Sequence, residues 1–145
     1  MDNNSAEQVR ILITEDDDGH ARLIQSRLKT AGVINPMQRF VDGEELLAYL
    51  AREARGGKGG AAFLLLLDIR MPGLDGIEVL RRLKADEAFK SIPVIMLSTN
   101  DDKADIARCY DLGCSSYLVK PVEYPAFAEV IRRLGLYIGV MRVNR

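Results

Sequence analysis

Apolar positions along this chain switch repeatedly between short unbroken runs and helical stripes. Val9-Arg10-Ile11-Leu12-Ile13-Thr14 is a β-rich run that stops at the acidic cluster Glu15-Asp16-Asp17-Asp18. Leu23, Ile24, Leu28 and Ala31 then share one helical face, and Gly32 supplies a stop. A weaker strand over Met37 to Val41 follows Pro36, and Asp42 is placed to cap a helix carrying Leu46, Leu47 and Leu50. Phe63 to Leu67 is continuously apolar, as expected of a parallel strand buried on both faces. Ile77, Leu80 and Leu83 return to helical spacing, and Pro93 to Leu97 forms a fourth strand. Ile106, Ala107, Tyr110 and Leu112 suggest a fourth helix ending at Gly113, before a fifth strand over Ser116 to Val119. Pro125 fits the first turn of a last helix bearing Phe127, Val130, Ile131 and Leu134.

Five strands alternating with five helices give an α/β domain with a parallel sheet covered on both faces. Right-handed crossovers make an open, doubly wound (βα)5 sandwich the economical arrangement at 145 residues. Residues 9–138 are expected to form this domain, with a flexible N-terminus over 1–8 and a tail over 139–145. Arg55-Gly56-Gly57-Lys58-Gly59-Gly60 reads as a solvated connector; it precedes a strand and has no Ser or Thr after its lysine, so it is not a phosphate-binding loop.

Composition narrows the class. Hydrophobic residues make up 48% and charged residues 28%, a globular balance. A net charge of -1 argues against direct nucleic-acid binding. The polar start Met1-Asp2-Asn3-Asn4-Ser5 lacks a signal-peptide core, and the longest apolar run, Ala61 to Leu67, is too short for a bilayer. A cytoplasmic protein without membrane contact is expected, with Cys109 and Cys114 as reduced thiols whose spacing is not CxxC.

In open α/β sheets the ligand site lies beyond the carboxyl ends of the strands. Here those ends carry Glu15-Asp16, Asp68, Ser98-Thr99 and Lys120. Any single Asp there is ordinarily a cap or loop residue, and Asp17 or Asp18 and Asp101 or Asp102 read as helix caps. Three converging carboxylates, however, repel unless a cation offsets them, and an all-oxygen set suits Mg²⁺ better than Zn²⁺. The lone His20, on the first helix, reads as an exposed residue beyond this edge. Carboxylates beside a lysine and a hydroxyl form a phosphoryl-transfer arrangement, with Asp68 as nucleophile.

With these residues placed, the sequence resembles the response-regulator receiver family of two-component signalling, from Val9 to about Ile138. The resemblance rests on Glu15-Asp16, the run Leu67-Asp68-Ile69-Arg70-Met71-Pro72-Gly73-Leu74-Asp75-Gly76, Ser98-Thr99, and Tyr117-Leu118-Val119-Lys120-Pro121. It implies a flavodoxin-like sheet in the order 2-1-3-4-5, with Asp68 as the phosphorylation site. It also implies Mg²⁺ held by Asp16 and Asp68, by Glu15 through a water, and by the Arg70 backbone carbonyl. Ser98, Thr99 and Lys120 are the implied phosphoryl contacts, and Ser98 and Tyr117 the switch pair whose aromatic ring turns inward. Arg70 and Asn100 occupy positions that tune the acyl phosphate's lifetime, Asn100 by orienting a water. Lys120-Pro121 matches the family's cis peptide.

The segments Asp105 to Gly113 and Ser116 to Val122, with the ending Leu134-Gly135-Leu136-Tyr137-Ile138, resemble small regulators associated with bacterial phytochromes and related sensor histidine kinases. The implied partners are such a kinase and a downstream effector. A relay intermediate passing phosphate to a histidine phosphotransfer protein is the alternative. An aspartyl-phosphate phosphatase of the dehalogenase type fits poorly, because it wants a second Asp where Arg70 stands. Excess apolar residues on the last helix (Phe127, Val130, Leu134, Tyr137, Ile138) predict a homodimer through helix four, strand five and helix five.

Overall fold

The computed structural model describes residues 9–55 and 62–143. The expected N-terminus 1–8 and the glycines of the connector, Gly56 to Gly60, lie outside the described residues. Five strands, β1 (Arg10–Thr14), β2 (Met37–Phe40), β3 (Phe63–Leu67), β4 (Val94–Ser98) and β5 (Ser116–Val119), pair in parallel in the order β2-β1-β3-β4-β5. They alternate with α1 (Asp18–Thr30), α2 (Gly43–Arg55), α3 (Gly76–Lys84), α4 (Lys103–Leu112) and α5 (Tyr124–Val143).

Alternation along the strands divides the core in two. Ile11, Ile13, Leu64, Leu66, Ile95 and Leu97 face α1 and α5, where Ile24, Leu28, Phe127 and Ile131 pack on them. Leu12, Leu65, Leu67, Val94 and Met96 face the other side, against Leu46, Leu50, Leu80 and Cys109 of α2, α3 and α4. Both faces of the central strands are therefore dry, and each fully buried Leu or Ile contributes roughly 1.5–3 kcal/mol relative to exposure.

Short polar side chains set where the helices begin. Asp17, Asp42, Asp75 and Asp102 each accept a backbone N–H three residues on, at 2.9, 2.9, 2.9 and 3.0 Å. Gly113 ends α4 in the left-handed region at φ 111°, and Gly32 follows α1 at φ 100°.

The last helix departs from expectation in two ways. It continues through 139–143, past the expected domain end at Ile138. Phe127, Leu134 and Ile138, expected at a dimer interface, are instead buried in this chain's own core. The reason is that α5 is covered by α1 as well as by the sheet: a Cβ on Gly135 would lie 2.7 Å from the Ala31 Cβ, so the two helices approach closely. Val130 is half-buried and Tyr137 remains exposed. Among the described residues no helix is long and apolar enough to cross a membrane.

Candidate functional site

Strand register assembles the site. Thr14 pairs with Leu67, so Glu15 follows β1 level with Asp68 after β3, and the Asp68 N–H donates to the Thr14 carbonyl at 3.2 Å. Ser98 pairs with Val119, and the Lys120 N–H donates to the Ser98 carbonyl at 2.8 Å. The carboxylates of Glu15, Asp16 and Asp68 each bring an oxygen within 4.8 Å of the others. Glu15 and Asp68 are buried, whereas Asp16 is exposed.

Lys120 closes this cluster from β5. Its Nζ donates to Glu15 Oε1 at 2.5 Å and to Asp68 Oδ2 at 3.3 Å, and it is itself buried. Glu15 Oε2 accepts the Asp17 N–H at 3.1 Å. Burial pushes the Glu15 carboxyl above its ordinary value, with Lys120 opposing that rise and Asp68 adding to it. Three carboxylates against one ammonium leave an excess of negative charge at an oxygen-only edge. That donor set fits a hard divalent cation such as Mg²⁺.

The other expected site residues divide into two groups. Ser98 is fully buried, and its Oγ accepts the Asn100 N–H at 3.2 Å. The Tyr117 ring is also buried, already on the inner side, and its hydroxyl donates to the Asn100 carbonyl at 2.5 Å. Burial pushes that phenol up to about 12. Thr99 and Arg70 are exposed, and the Arg70 N–H reaches Asp68 Oδ1 only at 3.4 Å.

One expectation is corrected. The Lys120–Pro121 peptide is trans, as no cis bond occurs among the described residues. Trans is the lower-energy isomer before proline by about 0.5–1 kcal/mol, and Lys120 reaches both carboxylates from it. The Asn100 side chain is engaged at the start of α4: its nitrogen donates to Asp105 Oδ2 at 2.9 Å and its oxygen accepts the Asp102 N–H at 2.8 Å.

His20 and Arg39 were not legible as site residues. His20, expected beyond the edge, has its Nδ1 3.1 Å from Lys120 Nζ and 4.0 Å from Glu15 Oε2. Its place one turn inside the helix that begins at the acidic cluster was the available signal. Arg39, at the end of β2, donates from Nε to the Glu15 carbonyl at 2.9 Å and from Nη1 to Asp18 Oδ1 at 2.7 Å, tying the acidic loop to the sheet.

Comparison with known proteins agrees with this geometry. Residues 11–132 match the response regulator receiver domain family. A receiver domain crystal structure from Rhodospirillum rubrum is 43% identical, with a TM-score of 0.83 over 90% of this chain and 94% of that one. Response regulator Rcp1 of Synechocystis is 34% identical over 110 residues, 76% of this chain and 75% of its own length. Its Mn²⁺-bound crystal structure gives a TM-score of 0.77 at 30% identity, covering 88% and 91% of the two chains. The phosphorylated cyanobacterial phytochrome response regulator RcpA is 34% identical with a TM-score of 0.77, covering 86% and 89%. A match running from β1 into α5, on the same five-stranded sheet, makes this chain a member of the response regulator receiver domain family.

Proposed function

We propose that Asp68 accepts a phosphoryl group from a sensor histidine kinase in a Mg²⁺-dependent reaction, in the cytoplasm, and that the resulting acyl phosphate switches the β4–α4 region. The observation that carries this reading is Lys120 Nζ lying between Glu15 and Asp68, with Asp16 completing the acidic edge. An Asp68 oxygen attacks the phosphorus of a phosphohistidine. The O–P bond forms as the P–N bond breaks, and the electron pair leaves on the imidazole nitrogen. Lys120 offsets charge on the transferred group as it moves onto Asp68. Glu15, Asp16, Asp68 and the Arg70 carbonyl are the groups that would hold Mg²⁺, whose contribution when bound is to neutralise phosphoryl and carboxylate charge.

Phosphorylation adds roughly -1.5 to -2 charge beside Ser98. In this reading Ser98 turns its hydroxyl to the phosphoryl group and gives up the Asn100 N–H it now accepts. Asn100 holds Tyr117 through its carbonyl and α4 through its side chain, so the change passes to α4 and β5. Thr99 flanks the phosphoryl group, and Arg70 tunes access of water to the phosphorus. The likeness to RcpA favours a phytochrome-class kinase as donor.

The α4–β5–α5 face is the proposed homodimer surface. With Phe127, Leu134 and Ile138 in the core, its apolar area comes from exposed Tyr110, Val119 and Tyr137, and from half-buried Val130. Light scattering is expected to show a dimer that Tyr137→Glu weakens; a monomer at high concentration with and without phosphorylation removes the dimer.

The acceptor reading is tested by incubation with Mg²⁺ and acetyl phosphate. Intact mass is expected to rise by one phosphoryl group in the wild type and not in Asp68→Asn. No gain in the wild type refutes it.

A further inference from the structure

The Lys120 ammonium carries three N–H donors and no acceptor. Two go to the Glu15 and Asp68 carboxylates, and the third faces His20 Nδ1 at 3.1 Å. A group that only donates requires the facing ring nitrogen to accept, which fixes His20 as the tautomer with its proton on Nε2. The ring is held for this task from both sides. The residue's backbone N–H donates to Asp17 Oδ1 at 2.9 Å, and the imidazole makes a T-shaped pair with the buried Phe127 ring, 5.2 Å between centroids and 81° between planes. Phe127 also lies beneath the ammonium, 5.9 Å from Lys120 Nζ to the ring centroid.

We infer that His20 is a positioning residue for phosphoryl acceptance: neutral, it takes the third N–H of Lys120 and holds the ammonium against Asp68. The inference rests on the proposed role of Asp68 as acceptor. An ammonium with a free third donor is drawn toward water and away from Asp68, whereas one filled on all three sides has a single direction in which to meet incoming phosphoryl charge. His20 touches neither the phosphorus nor the cation in this account, so it acts through Lys120 alone.

Two substitutions separate the acceptor atom from the packing. His20→Leu keeps apolar contact with Phe127 and removes the acceptor. His20→Asn places Oδ1 near the position of Nδ1 and restores it. With acetyl phosphate and Mg²⁺, His20→Leu is expected to phosphorylate about tenfold more slowly, the effect of one hydrogen bond to a charged group. His20→Asn is expected to stay within about twofold of wild type on the same scale. Mg²⁺ affinity by calorimetry is expected to be unchanged in both. Wild-type speed in His20→Leu overturns the inference, and so does His20→Asn as slow as His20→Leu, which would assign the effect to packing.

A spectroscopic readout needs no variant. Long-range proton–nitrogen spectra of the wild type are expected to show the Nε2–H tautomer for His20, and the Nδ1–H form overturns the pairing. A wild type that shows this tautomer yet takes no phosphoryl group refutes the role of Asp68 and with it any role for His20 in acceptance, while leaving the contact with Lys120 standing.

Discussion

Tyr117 shows how one buried polar group joins chemistry to stability. Its hydroxyl donates to the Asn100 carbonyl at 2.5 Å, and its own backbone N–H donates to the Tyr110 hydroxyl at 3.0 Å. Tyr117→Phe removes the first bond while keeping the ring, and is expected to cost about 1 kcal/mol at neutral pH in denaturant unfolding. Because burial holds the folded-state phenol at about 12, above its ordinary value, the folded protein keeps that proton when the unfolded chain has lost it. Stability is therefore fully present below about pH 10 and lost as pH rises toward about 12. Tyr117→Phe is expected to flatten that alkaline limb; an unchanged limb would mean that the phenol is not held by its surroundings. At this scale Asp68, Glu15, Asp16 and Lys120 were legible because each ends a strand. His20 was not, since its contact spans 100 residues of sequence and lies on a helix face that periodicity reads as solvent. The partners of Asn100 were not legible either, because a side chain's direction in a loop is set by neighbours, here Asp102 and Asp105, and not by its position after a strand.

Glycines fix how closely the elements approach, and they do so for different ends. A Cβ on Gly76, the first residue of α3, would stand 2.1 Å from the Asp68 carbonyl oxygen and 2.8 Å from the Ile69 Cα. Gly76→Ala must therefore push the loop after Asp68 away from α3, at a cost of about 3 kcal/mol or more. The same shift displaces Asp68 from Lys120, so thermal unfolding and phosphoryl uptake are both expected to suffer. Gly135→Ala crowds Ala31 at 2.7 Å, with Leu28 and Val33 at 3.6 Å, and should cost about 1–3 kcal/mol while leaving phosphoryl uptake intact. Full uptake by Gly76→Ala would contradict the placement of this loop. The strands, the Asp caps of α1, α2 and α4 and the helix stops were readable as elements, because period and capping chemistry are local. The extent of α5 was not, because apolar residues on a helix covered by two neighbours look the same in sequence as residues awaiting a partner. Phe127, Leu134 and Ile138 belong to the first kind.

Across the whole molecule, register converts four separated strand ends into one site. Only when β1 and β5 flank β3 and β4 in this order do Glu15 and Lys120, 105 residues apart, meet over Asp68. The same order puts α4 and α5 on either face beside the edge strand β5, which in the proposed reading is the surface that a change at Ser98 reaches. The fold follows from buried-strand patterning and crossover handedness, and the chemistry from what those strands carry at their ends. The most direct test locates the phosphate. Protein treated with acetyl phosphate and Mg²⁺, then reduced with borohydride, has any aspartyl phosphate converted to homoserine. Peptide mass spectrometry is expected to find homoserine at position 68 alone, and at no position when Mg²⁺ is chelated beforehand. Homoserine at another acidic residue, or none at position 68 in the Mg²⁺-treated sample, would contradict the account.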